Sequence, residues 1–290
     1  MARDEDLPSA RWHRLVTSRL EETERLSPGL GSLSGAFWDR RAERYAASTN
    51  VTDTAGDPFL RRLRRATHPS STAIDVGAGT GRFALPLAAG VKEVTAVDPS
   101  AGMLDVLRRD RRRLGVSNVT TVRGSWEEAS TAVADVVFSA FVLPLVPEAR
   151  RFLIKLDAAA RQHAFLYLGA YCGDAVLDPL WRHFHGAPRA PGPSYLDALA
   201  VLRELGIEPE VKVVELDSRR RFATIDEAVE HYRDALLLAD LPDVRRELEG
   251  LLAIWLLGRR GALRSPLRTM PAAIIHWTSG TARSEDPRSP

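Results

Sequence analysis

From Thr72 onward the chain alternates short apolar runs with helical stretches, and this rhythm restricts the fold more than any other feature. The strand-like runs are Thr72–Val76, Glu93–Val97, Val119–Arg123, Ala134–Ser139 and Ala164–Tyr171. Runs of about five residues, separated by roughly 10–15 helical ones, build βαβ units and therefore a parallel sheet covered on both faces. Val136-Val137-Phe138 and Ala164-Phe165-Leu166-Tyr167-Leu168 show no polar alternation, as expected of strands buried on both sides.

The flanks read differently. Trp12, Leu15, Val16, Leu20 and Leu26 recur at helical spacing, so residues 1–26 predict an amphipathic helix. Ser27-Pro28-Gly29 ends it. A second helix is expected over Ser34–Ala47, with Phe37, Trp38, Ala42 and Tyr45 on one face, and a third over Pro58–Thr67. After the parallel units come a Pro/Gly-rich loop at 186–193 and a helix at Tyr195–Leu205, stopped by Gly206. Val211–Leu216 reads as a strand, Ile225–Leu257 as one or two helices broken at Leu241-Pro242, and Ala272–Trp277 as a final strand.

Composition narrows the function. Of 290 residues, 44% are hydrophobic and 27% charged, which excludes wholesale disorder. Forty basic residues against 38 acidic ones leave a net charge of +2, too balanced to favour a nucleic acid or a membrane surface. The clusters Arg61–Arg65 and Arg108–Arg113 read as solvated helix faces, with phosphate-binding patches as the alternative. The longest apolar run, Leu251–Leu257, is far short of the roughly 20 residues of a membrane span. The charged start (Arg3, Asp4, Glu5, Asp6) does not resemble a secretory signal. A single cysteine, Cys172, excludes an intramolecular disulfide and a multi-cysteine zinc site. A cytoplasmic protein is expected.

The segment that carries chemistry is Ala73-Ile74-Asp75-Val76-Gly77-Ala78-Gly79-Thr80-Gly81-Arg82-Phe83, an apolar strand running into a Gly-x-Gly-x-Gly turn that opens onto a helix. Glycines there permit positive φ and let a ligand approach the backbone. In a doubly wound sheet this turn lies outside the carboxyl ends of the strands, where ligands bind. Asp98 ends the next strand, where a carboxylate can accept both ribose hydroxyls. Asp75 precedes the glycines, where a carboxylate repels a pyrophosphate and attracts a cation. A dinucleotide turn reads G-x-G-x-x-G, and here the third glycine comes one residue early. Both features favour an adenosyl ligand with a positive amino-acid end over NAD.

Asp75–Gly81, Val97-Asp98-Pro99-Ser100-Ala101-Gly102-Met103-Leu104 and the Ala134–Ser139 strand together resemble the class I S-adenosylmethionine-dependent methyltransferases, over roughly residues 35–170. The likeness is greatest to the small-molecule, ubiquinone/menaquinone-type group. The resemblance implies S-adenosylmethionine as cofactor. Gly77, Ala78 and Gly79 would lie by its methionine end with Asp75 on the amino group, Asp98 and Pro99 at the ribose, and Met103 near the adenine. Trp38 and Tyr45 match a helix that covers the cofactor in the family. Family members carry an acidic residue for the adenine where this chain has Ser125, which passes that role to Ser125, to backbone groups, or to stacking on Trp126. Ser139, at the end of the fourth strand, completes the expected cofactor shell.

The expected fold is therefore α/β: a doubly wound, mostly parallel seven-stranded sheet of Rossmann-like methyltransferase type. Its division is an N-terminal helical cover (1–68), a core (69–217), a helical lid insertion (218–265), a final core strand (266–280) and a flexible tail (281–290). Transfer from a sulfonium needs mainly positioning, so no catalytic residue stands out; Tyr171, His183 and His185 are weak candidates. His183 and His185 could pair on a metal if that segment is extended, but a third ligand is missing and no metal is expected. The lid helices, rich in apolar residues such as Tyr232, Leu251, Leu252 and Trp255, form either an acceptor pocket or a packed face. A small-molecule acceptor and a monomer or homodimer are expected. Methylation of RNA or protein, a catalytically silent S-adenosylmethionine-binding protein, and an NAD-dependent oxidoreductase are the rival readings.

Overall fold

One seven-stranded sheet organises the chain in a computed structural model, which describes residues 7–28, 35–48, 54, 56–170, 177–217, 221–258, 263–266 and 269–279. The first five strands are β1 (Thr72–Val76), β2 (Glu93–Asp98), β3 (Val119–Arg123), β4 (Ala134–Ala140) and β5 (Ala160–Gly169). Later come β6 (Glu210–Asp217), a separate hairpin-like pair β7 (Arg221–Phe222) and β8 (Leu263–Arg264), and β9 (Thr269–Thr278). The sheet order is β3-β2-β1-β4-β5-β9-β6. β1 to β5 pair in parallel, and β9 runs antiparallel between β5 and β6. The chain reverses direction across the sheet between β1 and β4, which makes their carboxyl ends the crevice of a doubly wound fold.

Helices cover both faces. On one side α1 (Pro8–Leu26), α7 (Ala149–Ala159) and α9 (Tyr195–Glu204) share an apolar core with Ile74, Val137 and Leu166. Trp12 of α1 is fully buried there and donates its indole N–H to the Val146 carbonyl at 2.9 Å. On the other side lie α4 (Pro58–Arg65), α5 (Ala84–Ala88) and α6 (Ala101–Arg113). Phe59 of α4 is the hub of this face: it stacks on Tyr167 at 4.6 Å and meets Phe83, Phe138 and Phe165 edge-on. The first 68 residues thus reach both faces of the sheet, and α4 is part of its core.

Several expectations shift by a few residues for identifiable reasons. The helix expected over 34–47 is two, α2 (Gly35–Asp39) and α3 (Ala42–Ser48), turning at Arg40-Arg41. β5 starts at Ala160, where α7 passes straight into it, and Ala160 pairs Ala134 across a bulge. Its first residues are polar because Arg161 answers Asp135 on β4 at 2.7 Å, and that polarity hid the strand. The last residue assigned to it from sequence, Tyr171, lies outside the described residues, as do Cys172 and Asp174. The His183–His185 segment is not extended; it closes the helix α8 (Asp178–His185).

The lid helices α10 (Ile225–Ala235) and α11 (Pro242–Trp255) are separated at Leu241-Pro242. Their apolar residues mostly face each other and α8, where Tyr232, Leu248 and Leu252 pack with Leu180 and Trp181. The two arginine clusters are engaged with acids and carbonyls of this chain: Arg108 with Asp105, Arg109 with Glu43, Arg62 with Glu210, and Arg64 with the Pro86 carbonyl. No described helix is long and apolar enough to cross a membrane.

The hub role of Phe59 is measurable. Phe59→Ala is expected to lower unfolding free energy by about 3–5 kcal/mol in urea titrations, the usual cost of deleting a buried aromatic ring. A loss under about 1 kcal/mol would mean that α4 is not integral to the core.

Candidate functional site

The glycine turn after β1 is held from two sides. Gly77 and Ala78 donate their N–H groups to the Val97 carbonyl at 2.8 and 3.0 Å, tying the turn to β2. Gly77 and Gly79 have φ of 73° and 53°, a region that side chains disfavour. The two serve different ends. A side chain at Gly77 would collide with Val142, which follows β4, at 2.3 Å, so this glycine is needed for the protein's own packing. A side chain at Gly79 would meet nothing within 4 Å, so this one leaves backbone open to a ligand. Phe141 sets up the first contact: its strained φ of 61° turns the chain at the end of β4 and brings Val142 onto Gly77.

Asp98 is the second support. One carboxylate oxygen accepts the Gly79 N–H at 2.8 Å and the other the Ser100 N–H at 2.9 Å. Each oxygen keeps lone-pair capacity for a further donor. Burial raises its pKa, against the pull of those two N–H groups. Ser100, not Asp98, caps α6, accepting the Met103 N–H at 3.1 Å.

Asp75 is 2% exposed. It accepts the Ala84 N–H, while its Oδ2 has no hydrogen-bond partner; the neighbouring Thr80 hydroxyl is buried and unpartnered too. Burial first, and the Asp98 charge second, push the Asp75 carboxyl well above its ordinary range. A buried acid left half satisfied beside an open glycine is what a site for a cationic group looks like before the cation arrives.

The helices α2 and α3 dock on α6 through one acid. Asp39 accepts the Ser100 hydroxyl at 2.6 Å and the Gly102 N–H at 2.8 Å. Those two hydrogen bonds, in that order, hold its carboxyl below the usual carboxylate range. Behind it, Met103 packs with Ala42, Trp38 and Tyr45, and the two aromatic rings meet edge-on at 5.9 Å. Trp38, Tyr45 and Met103 therefore do come together, as one apolar cluster at the start of α6.

Three expected cofactor contacts are spent elsewhere. Trp126 is 4% exposed and belongs to the core under α7, its indole N–H bonded to the Phe152 carbonyl and its ring under the Lys155 ammonium at 4.8 Å; no face is left for a base to stack on. Ser139 is buried and donates to the Val76 carbonyl at 2.9 Å, locking β4 to β1. Ser125 holds a short turn, its hydroxyl donating to the Glu128 carboxylate and accepting the Glu128 N–H. Ala78 is nearly buried in the turn, and Pro99 is exposed at its rim.

Beside this crevice lies a cleft of about 330 Å³, walled by α1, α2, the loop after β4, the 189–193 loop and the end of α10. Val16, Leu20, Trp38, Pro144 and Leu145 make much of its wall, and Arg19, Arg41, Arg189 and Asp234 its charged part. Of the lid's apolar residues, Leu237 reaches it but Tyr232, Leu251, Leu252 and Trp255 do not. Neither His183 nor His185 lines it: His183 pairs with Glu247 at 2.8 Å and His185 bonds the Leu236 carbonyl at 2.8 Å, both inside the lid. Both lie at the end of α8, bonded to the lid and away from the described cleft wall, and among the described residues no three His, Cys, Asp or Glu side chains converge on a metal site. Sequence spacing missed Asp39, Arg41 and Arg19; the only signal was that each adds a polar residue to an otherwise apolar helix face.

Part of the chain is similar in sequence to a known family, and its fold to solved structures. Residues 73–162 match a family model described as a methyltransferase domain. An uncharacterised protein of Haemophilus influenzae is 28% identical over 186 residues, spanning 62% of this chain and 67% of that protein. Among solved structures, the YcgJ protein of Bacillus subtilis superposes with a TM-score of 0.51 at 14% identity, over 76% of this chain and 97% of that one. A provisionally assigned methyltransferase of Bacillus halodurans gives 0.52 at 16% identity, over 76% and 96%. At such identities the superpositions speak for the fold alone.

Asp75 yields a pH-dependent expectation. With its pKa raised in the folded state above the ordinary 3.8, the native protein holds a proton that the unfolded chain releases, so stability falls as pH rises through that window. Asp75→Asn is expected to raise the melting temperature of the ligand-free protein more at pH 8 than at pH 4. Equal shifts at both pH values, or a loss at pH 8, would show that the carboxyl is not strained.

Proposed function

We propose that this chain, a class I S-adenosylmethionine-dependent methyltransferase by its domain at residues 73–162, methylates a small molecule seated in the cleft between α1, α2 and α10. The observation that carries the reading is the pairing of two features on β1 and the turn after it: the half-satisfied buried acid Asp75 and the open backbone at Gly79, with Asp98 bridging from β2.

These residues fit the cofactor. Asp75 has an unused oxygen for its ammonium group, Gly79 leaves room for its chain, and Asp98 retains acceptor capacity for ribose hydroxyls. Met103, with Trp38 and Tyr45 behind it, supplies an apolar wall on the adenine side. When bound, S-adenosylmethionine supplies an electrophilic methyl on a sulfonium, already activated for displacement.

The protein's part is therefore to orient and to dry. The docking of α2 through Asp39 brings Trp38, and Arg41 in the turn that follows, into the wall of the cleft, where an acceptor would be shielded from water. Pro144 and Leu145 line the cleft directly beyond the end of β4, next to the Val142 contact on Gly77, so an acceptor there lies beside the turn. Holding nucleophile, methyl and sulfur in line accounts for most of the acceleration such a site needs. Among the described residues the cleft wall offers one carboxylate, Asp234, which is engaged by arginines, and no histidine; positioning of the acceptor's own nucleophile is therefore the contribution these residues can make. The small-molecule reading is further supported by the acid partners that Arg62, Arg108 and Arg109 find within the chain, which take part of each arginine cluster out of play for RNA phosphates.

Calorimetric titration tests the cofactor site. The wild type is expected to bind S-adenosylmethionine with a roughly micromolar Kd, in the range open to a ligand of this size. Asp98→Ala and Gly79→Leu should each weaken it on the order of 100-fold, with far-UV dichroism unchanged. Undiminished binding in both variants would remove the reading.

A further inference from the structure

The cleft is apolar over most of its wall, yet the described residues of that wall include three arginines, Arg19, Arg41 and Arg189, and a single carboxylate, Asp234. That carboxylate is already claimed from outside the cleft. Arg44 reaches it at 2.5 Å and Arg233 at 3.2 Å, whereas Arg41 comes within only 3.9 Å. Arg41 lies on the Phe37 ring, 4.0 Å from its centroid, and gives one N–H to the Phe37 carbonyl at 3.5 Å. Its side chain is 21% exposed, in the cleft wall.

The other cations are anchored at the rim. Arg19 donates to the Ala190 carbonyl, and Arg189 lies over the Trp181 ring with Glu22 at 3.8 Å. Arg19 lies on α1, Arg41 in the turn after α2 and Arg189 in the 189–193 loop, so three separate segments bring their cations to one cleft. A guanidinium has five donors in a fixed fork, suited to a carboxylate at two points. Burial lowers the pKa of Arg41, Asp234 opposes that, and Arg44, Arg40 and Arg233 add to it; an anion in the cleft would act on the guanidinium in the same sense as Asp234.

We infer that the molecule this cleft takes is an amphipathic carboxylic acid, its carboxylate received by Arg41 with Arg19 and Arg189 close by, and its apolar body lying along Phe37, Trp38 and Leu145. The inference rests on the methyltransferase reading only in making this molecule the methyl acceptor. The carboxylate is the anchor, and the nucleophile lies elsewhere on the body. The net excess of positive charge selects the acid, while the enclosed apolar wall limits its size.

Matched acid and amide pairs test it: cinnamate against cinnamamide, decanoate against decanamide, and indole-3-acetate against indole-3-acetamide, each titrated into the full-length protein by calorimetry or ligand-observed NMR. In at least one pair the acid is expected to bind tenfold or more tightly than its amide. Arg41→Gln should erase that preference and Arg41→Lys should keep part of it, with S-adenosylmethionine affinity changed less than twofold in both. Equal binding of acid and amide in every pair, no binding of any acid, or a preference that survives Arg41→Gln would overturn the inference. Failure of the wild type to bind S-adenosylmethionine would strike the methyltransferase reading instead, because acid and amide are compared in its absence.

Discussion

The buried carboxylate of Asp98 joins two pieces of chain that would otherwise be independent, the glycine turn after β1 and the start of α6. Gly79 donates to one oxygen and Ser100 to the other. Ser100 in turn hydrogen-bonds Asp39, which fixes α2, whose Trp38 and whose neighbouring Arg41 enter the cleft. Four residues, Gly79, Asp98, Ser100 and Asp39, therefore connect the glycine turn to the wall of the cleft. The cost of burying Asp98 is offset by N–H donors that point at it whether or not a ligand is present. Asp75, one strand away, is compensated on one side only: it accepts the Ala84 N–H, and its Oδ2 has no hydrogen-bond partner.

The switch between β1 and β4 is the other fixed point. Ser139 bonds across to Val76, Phe141 adopts a strained backbone, and Val142 fills the space that Gly77 leaves. Strain of this kind persists where surrounding packing enforces it. Here the enforcement comes from the Phe141 N–H bond to Tyr167 at 2.7 Å and the contact of their rings at 4.8 Å. The outcome is a loop after β4 that is rigid at its root and lines the cleft at its tip.

Much of this was legible in the residue order. The five parallel strands, the glycine turn, Asp75 and Asp98 announce themselves because strand period, glycine chemistry and a carboxylate at a strand end are local signals. The break at Leu241-Pro242 was readable for the same reason. What was not legible depends on distant partners. Trp126 looks like a free aromatic beside the expected adenine position, but Phe152 and Lys155, more than 25 residues on, draw it into the core. Ser139 looks like a site residue until Val76 is placed opposite it. His183 and His185 sit near a loop in sequence and inside the lid in space. Asp39 and Arg41 carry no local signature; their importance arises only when α2 lands on α6 and faces α10.

The placement of β9 bears on how the molecule is made. As the central neighbour of both β5 and β6, it fills a slot that no earlier segment can occupy, so a nascent chain emerging from the ribosome has a divided sheet until residues 269–278 are released. The crevice at β1 and β2 is assembled from early segments alone, and can take shape while the opposite half still waits for its keystone. Synthesis order thus separates the birth of the nucleoside-binding half from the completion of the scaffold.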